Sequence, residues 1–131
     1  MRRELDYDTV KDEIVGFADL GNYKENVLGK QVCVFIVRSL FERWQFVISF
    51  FISGNSMSGL KMTELIKKNI EYCINIGFNI RAVVCDQGSN NSSAYKNLKN
   101  SENEYFLFEN SRKIYLLYDV PHLIKSVRNT L

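Results

Sequence analysis

The first half of the chain carries three apolar segments whose patterns predict β-strands. Residues 14–20 end at a Gly-Asn turn, while residues 32–37 and 44–52 are continuous runs of β-branched and aromatic side chains. Continuous apolar runs of this length are typical of strands that are covered on both faces of a sheet. The short polar link at residues 41–43 predicts that the last two strands form an antiparallel hairpin.

A clear helical pattern follows. Residues 62–74 place apolar side chains at spacings of three and four, which predicts an amphipathic helix. Ser58 or Thr63 is suited to cap its start, and Gly77 to end it.

The remainder of the chain predicts a strand, a short helix, a second hairpin and a final helix. The strand covers residues 79–85, and the short helix runs through residues 95–98. The hairpin joins residues 105–108 to residues 114–118, and Pro121 opens the last helix. This order of elements predicts a mixed α/β fold with a covered sheet.

Composition places the chain among globular proteins. Its 131 residues suit a single domain over residues 1–131, and 46% hydrophobic residues are enough for a core. A net charge of +2 does not by itself indicate a nucleic-acid partner. Residues 111–131 contain one acid, Asp119, and four bases, namely Arg112, Lys113, Lys125 and Arg128. An ordinary solvated surface is the simpler interpretation of this excess of positive charge.

The cysteines and the missing motifs exclude several classes of site. Three scattered cysteines without a CxxC pair predict buried free thiols in a reducing compartment, not disulfides or a zinc site. No Walker A or GxGxxG motif supports nucleotide binding. We expect no secretory signal and no membrane partner, because charged residues interrupt the apolar stretch at 32–52.

Asp86 is the sharpest candidate for chemistry. It follows the apolar strand predicted at residues 79–85, at the carboxyl edge where ligand-binding groups of α/β sheets concentrate. A carboxylate is a hard oxygen ligand for Mg²⁺ or Mn²⁺. The alternative is that Asp86 is a plain turn residue or a helix cap.

Asp119 and His122 are accessory candidates. Asp119 ends the strand predicted at residues 114–118, so it would share an edge with Asp86 if the two strands lie side by side, although helix capping is its simpler role. His122 is the only histidine, which excludes a His-rich metal site. It could face the same edge or bind a phosphate, but a structural hydrogen bond is the commoner role for a lone histidine.

Three phrases of the sequence together carry a resemblance to a known family. They are IVGFADLG at residues 14–21, AVVCDQGSNN at residues 82–91 and KIYLLYDVPHLIKSVRN at residues 113–129. In this order, and over nearly the whole chain, they closely resemble the RNase H-like domain of P-element transposases and their THAP9-like relatives. The resemblance implies an RNase H-like mixed sheet flanked by helices.

The resemblance also implies chemistry. That family cuts and joins DNA with three acids that hold two divalent ions, Mg²⁺ or Mn²⁺, and its second acid falls on Asp86. The first acid lies on a central first strand before the segment that matches residues 2–5, and the third lies beyond Leu131. We therefore expect a domain truncated at both ends that lacks the first central strand, with Asp6, Asp8 and Asp12 as poor substitutes.

Three hypotheses about function follow. The first is a transposase fragment that is inactive alone and either marginally stable or prone to aggregation. Its expected partners are DNA, through the parent protein, and a second copy of the chain, and the resemblance implies a nuclear location. The second is a non-catalytic domesticated module that binds DNA or protein through its basic C-terminal helix. The third is an unrelated small α/β enzyme that uses Asp86 and Asp119.

Overall fold

The structure, a computed structural model, describes residues 5–21, 24–99, 103–109 and 111–130. The chain divides into two compact units, Met1–Ser56 and Met57–Leu131. The single domain over residues 1–131 stays a prediction.

The described part of the first unit consists of antiparallel strands in two sheets. A small hairpin pairs β1 with β2, and a larger sheet has the order β4-β3-β6-β5. The strands are β1 (Asp6–Asp8), β2 (Glu13–Val15), β3 (Phe17–Asp19), β4 (Lys24–Leu28), β5 (Gln31–Arg38) and β6 (Gln45–Ser53).

The single strand predicted at residues 14–20 is wrong in one respect. The chain forms β2 and β3 instead, which belong to different sheets and are separated by Gly16. Gly16 has a φ of 109°, a left-handed value that side chains with a Cβ rarely adopt. The glycine therefore breaks the strand that its apolar neighbours would otherwise continue.

The β5–β6 hairpin is confirmed, but its predicted burial is not. The two strands pair antiparallel from Gln31 and Ser53 to Arg38 and Gln45. Along β5 exposure alternates, so that Val37 is buried while the side chains on the other face are about half exposed, namely Val32, Val34 and Ile36. The prediction that both faces are covered is therefore wrong for β5.

The second unit packs helices against a three-stranded mixed sheet. Its sheet order is β7-β9-β8, with β7 and β9 parallel and β8 and β9 antiparallel. The elements are α1 (Gly59–Asn75), β7 (Ala82–Cys85), α2 (Ser89–Leu98), β8 (Tyr105–Phe108), β9 (Arg112–Tyr118) and α3 (Val120–Thr130). The predicted mixed α/β class and the second hairpin are confirmed.

Both ends of α1 are set by local sequence. Ser58 is the N-cap, and its side chain accepts a hydrogen bond from the Lys61 backbone amide at 3.2 Å. At the other end Gly77 has a φ of 99° and donates its N–H to the Ile74 carbonyl, while Phe78 donates to Cys73. This pair of bonds satisfies two terminal carbonyls and ends the helix as predicted.

The core of the second unit lies where α1 and α2 meet the sheet. Its buried apolar side chains include Leu65, Ile66, Ile70, Cys73, Ala94, Tyr95, Leu98, Phe106, Ile114 and Leu116. In the described part of the chain no helix has the length and apolar character required to cross a membrane.

Candidate functional site

Parallel pairing of β7 and β9 brings the two predicted acids to one sheet edge. The last paired residues are Cys85 and Tyr118, and Asp86 and Asp119 follow them directly. The Asp119 backbone amide donates a hydrogen bond of 2.8 Å to the Cys85 carbonyl, which extends the pairing by one residue. Two carboxylates therefore leave neighbouring strand ends at the same edge, as the sequence predicted.

The Asp86 carboxylate is held by the turn that follows it. Its Oδ1 accepts hydrogen bonds from the Gly88 backbone amide at 2.8 Å and from the Asn91 side-chain amide at 2.7 Å. The Gly88 amide first, and then Asn91, hold the pKa of Asp86 below its ordinary value, with a smaller contribution from the charge of His122. Asp86 is thus an exposed, ionised group at neutral pH.

Glycine at position 88 permits a close approach to the Asp86 carboxylate. A Cβ at position 88 would lie 2.9 Å from Asp86 Oδ1, which is closer than such atoms approach in proteins. Gly88 is also the N-cap residue of α2, without a side-chain capping bond of its own. The turn therefore fixes the carboxylate where the helix begins.

Asp119 and His122 form a pair beside Asp86. The Asp119 Oδ2 atom lies 2.6 Å from His122 Nδ1, across three residues at the start of α3. In the neutral tautomer that donates from Nδ1, the other ring nitrogen is an acceptor. The side chain of Asp119 thus orients the imidazole, which is more specific than the capping role considered from sequence.

Tyr95 supports the site from the core and was not recognised as functional from the sequence. It is 2% exposed, and its hydroxyl shares one donor proton between the carbonyls of Val83 in β7, at 2.9 Å, and Leu117 in β9, at 3.0 Å. Its ring packs on Tyr118 with 5.2 Å between centroids. Burial, as the first cause, raises the pKa of Tyr95 far above its ordinary value, so the hydroxyl remains a donor.

The described residues do not by themselves fit a complete metal site. Among them, no group of three or more histidine, cysteine or acidic side chains is placed to hold one ion. Asp86 and Asp119 each already use one carboxylate oxygen in a hydrogen bond, whereas Mg²⁺ requires about six oxygen ligands in near-octahedral geometry.

The acids near the start of the chain belong to a turn of the first unit. Asp8 Oδ1 accepts hydrogen bonds from the backbone amides of Val10 and Lys11, and Asp12 accepts one from the Tyr7 hydroxyl. Asp8 and Asp12 therefore have a structural role, because their hydrogen bonds hold the β1–β2 turn.

The cysteines are free thiols, but only one is fully buried. Cys73 is buried, while Cys33 and Cys85 are partly exposed, so the prediction that all three are buried is wrong. Burial is the first cause that raises the pKa of each thiol. A raised pKa keeps the thiol protonated, which makes these cysteines poor nucleophiles.

A family comparison covers most of the chain. The family described as TNP-like, RNase H N-terminal domain has a model that matches residues 1–99. The chain belongs to this family. Membership makes it a transposase-like RNase H domain and removes the hypothesis of an unrelated α/β enzyme.

The matched segment of this TNP-like domain contains Asp86, whereas Asp119 and His122 follow it. Comparisons with curated proteins and with solved structures found no match to the chain.

Proposed function

We propose that this TNP-like RNase H domain is part of the catalytic domain of a P-element-type DNA transposase, in which Asp86 supplies one acid. The observation that carries the proposal is an ionised carboxylate at the end of β7, inside the matched segment and beside the parallel strand β9. When bound in the intact parent, Mg²⁺ or Mn²⁺ ions would supply the charge stabilisation for DNA strand cleavage and transfer in the nucleus.

The chain's own residues prepare this acid. Gly88 and Asn91 fix one oxygen of Asp86, and Tyr95 ties β7 to β9 behind it. The second Asp86 oxygen has no hydrogen bond to the described part of the chain, so it is the oxygen offered to a cation. Asp119 and His122 are proposed as accessory groups at the same edge.

The free side of β7 supports a further part of this proposal. Within the described residues β7 pairs only with β9, so its opposite edge carries unpaired backbone groups. RNase H-like sheets place their first strand centrally, and we propose that this strand of the parent pairs with β7. Such pairing would bring a second acid next to Asp86.

Strand cleavage tests the proposal. We expect no nicking of supercoiled DNA by the 131-residue chain in Mg²⁺ or Mn²⁺, because the acids among its described residues do not complete a metal site. The full-length parent should nick DNA and lose this activity in Asp86→Ala. Glu71→Gln, which removes an exposed acid on α1, is the matched control and should remain active. Cleavage that survives Asp86→Ala would contradict the proposal.

A Mn²⁺ titration of the chain separates the two acids. Weak binding, on the order of millimolar, is expected from so few ligands and should be lost in Asp86→Asn but kept in Asp119→Asn. Paramagnetic broadening of backbone amide signals near position 86 is the measurement. Equal loss in both variants would assign the ion to a shared Asp86–Asp119 site instead.

The second candidate is a non-catalytic module that binds DNA or protein. The exposed bases Lys125 and Arg128 on α3 favour it, since cations on one helix are suited to phosphates. This candidate predicts that the chain binds DNA or protein in EDTA and that the double substitution Lys125→Gln and Arg128→Gln weakens this binding. It also predicts that the function of the parent does not need Asp86.

A further inference from the structure

The turn between β5 and β6 builds a polar cavity far along the chain from the acids. The cavity has a volume of about 340 Å³ and is lined by Arg38, Glu42, Arg43, Trp44 and Gln45. The turn is ordered by its own bonds. Ser39 donates its backbone N–H to the Trp44 carbonyl at 3.2 Å, and the Ser39 hydroxyl accepts from the amides of Phe41 and Glu42.

Trp44 is the aromatic residue in the lining of this cavity. Trp44 packs on Phe46 with 5.5 Å between centroids and a tilt of 33°, and its indole N–H donates to Glu42 at 3.0 Å. These contacts fix the plane of the indole, which remains partly exposed. Phe41, at the tip of the turn, is 96% exposed. A fixed, accessible ring is suited to stacking with a nucleobase.

The cavity also carries positive charge. Arg38 and Arg43 are exposed, and within the described residues neither forms an ion pair with a carboxylate. Glu42, the one acid of the lining, already accepts from the indole. Guanidinium groups bind phosphate oxygens through paired hydrogen bonds. Two arginines beside an oriented indole match the two chemical parts of a nucleotide.

We propose that this hairpin tip, residues 38–46, binds an unpaired nucleotide of a DNA strand. Arg38 and Arg43 contact its flanking phosphates, and its base stacks on Trp44. The choice of DNA rests on the proposed transposase function, and the contact is independent of metal and of Asp86. An unpaired strand is favoured over a duplex because stacking on the indole requires a base that is free of its partner.

Trp44 is the only tryptophan, so its fluorescence reports on this site alone. A titration of the full chain with a short oligothymidine in EDTA should quench that fluorescence. Variants are compared by the anisotropy of a labelled oligonucleotide. Trp44→Ala should weaken binding by about fivefold or more, and Trp44→Phe should restore much of it, because one stacked base contributes at least this factor.

Salt dependence tests the arginines. For single strands each neutralised phosphate adds about 0.7 to the slope of log affinity against log salt. Arg38→Gln and Arg43→Gln should each reduce the slope by about this amount. Lys67→Gln, which removes an exposed charge from α1, should leave the slope unchanged.

Several outcomes overturn the proposal. Absent quenching, slopes unchanged in both arginine variants, tighter binding of an RNA or duplex competitor, or equal competition by an acidic peptide would each do so. Its failure is separable from that of the transposase function. If DNA quenches the fluorescence but the parent nicks DNA without Asp86, only the proposed transposase function of Asp86 fails. If DNA does not quench the fluorescence but nicking by the parent requires Asp86, only the proposed nucleotide site fails.

Discussion

At the scale of single residues, the candidate site depends on how a turn holds one carboxylate. Asp86 is exposed, yet its Oδ1 atom receives two hydrogen bonds from residues within the next five positions. Hydrogen bonds to a charged acceptor are stronger than neutral ones and favour ionisation. The turn therefore gives the acid a fixed position and keeps it ionised at neutral pH without burying it.

The lowered pKa of Asp86 makes a pH-dependent contribution to stability. Because the folded pKa lies below the ordinary value of 3.8, the contribution is present above that value and is lost as pH falls through the folded pKa. Asp86→Asn should therefore unfold at lower urea than the wild type at about pH 6, with a smaller difference at about pH 2. Urea midpoints at both pH values test this, and a difference that grows on acidification would contradict it.

Tyr95 makes a second residue-scale prediction. Tyr95→Phe leaves the Val83 and Leu117 carbonyls without their shared hydroxyl donor, so it should lower the free energy of unfolding by roughly 1–3 kcal/mol. Tyr115→Phe is the control, since that ring is about half exposed and should shift stability by less than about 0.5 kcal/mol. Chemical denaturation measures both. Equal effects would show that the buried hydroxyl has no special role.

The sequence predicted part of this site for a physical reason. The position of an acid that directly follows an apolar strand depends only on where that strand ends. The placement of Asp86 and Asp119 at the sheet edge could therefore be predicted. The roles of Tyr95 and Asn91 could not be predicted in the same way. They depend on how α2 is rotated over the sheet, which tertiary packing decides.

At the scale of elements, α1 and α2 pack at unusually short range. A Cβ added at Gly59 would lie 2.5 Å from the Ser93 Cβ, so the absence of a side chain at position 59 permits the approach. Asn97 donates from its side chain to the Thr63 hydroxyl at 3.5 Å in the same interface. The start of α1 thus fixes the helix that carries Tyr95 and Asn91.

Gly59→Ala tests this packing. The added methyl collides with Ser93, and we expect a loss of about 1–3 kcal/mol in the free energy of unfolding. Leu60→Ala, at a neighbouring and exposed position, should change stability far less. In a double-mutant cycle Ser93→Gly should recover part of the loss. Additive effects of the two substitutions would show that no such contact exists.

Element boundaries were predictable where a local signal acts alone. Ser58 and Gly77 mark α1 because capping is local chemistry, and the β5–β6 hairpin follows from its two apolar runs. The break at Gly16 was missed because the apolar pattern continues across it while the backbone does not. The strands β1 and β4 were missed because their sequences, DYD and KENVL, are mostly polar.

At the scale of the whole molecule, the sheets end in strands with one free side. Within the described residues β5 pairs only with β6, and β7 pairs only with β9. Free backbone donors and acceptors on an edge strand form a template for pairing with another chain. Val84 lies in the edge strand β7 and is 59% exposed, so it adds an accessible apolar side chain to that strand. We therefore expect the isolated chain to self-associate through strand edges.

A lysine on the β7 edge tests this mode of association. Val84→Lys should reduce self-association in sedimentation velocity while leaving the circular dichroism spectrum unchanged, because a charged edge residue opposes edge pairing. Val47→Lys is the matched control. It replaces a comparably exposed valine on β6 and leaves the β7 edge intact. Association lost in Val84→Lys and kept in Val47→Lys identifies the edge as the contact. Equal loss in both variants would show that association occurs through exposed apolar faces. Self-association would then give no support to the proposal that a further strand pairs with β7.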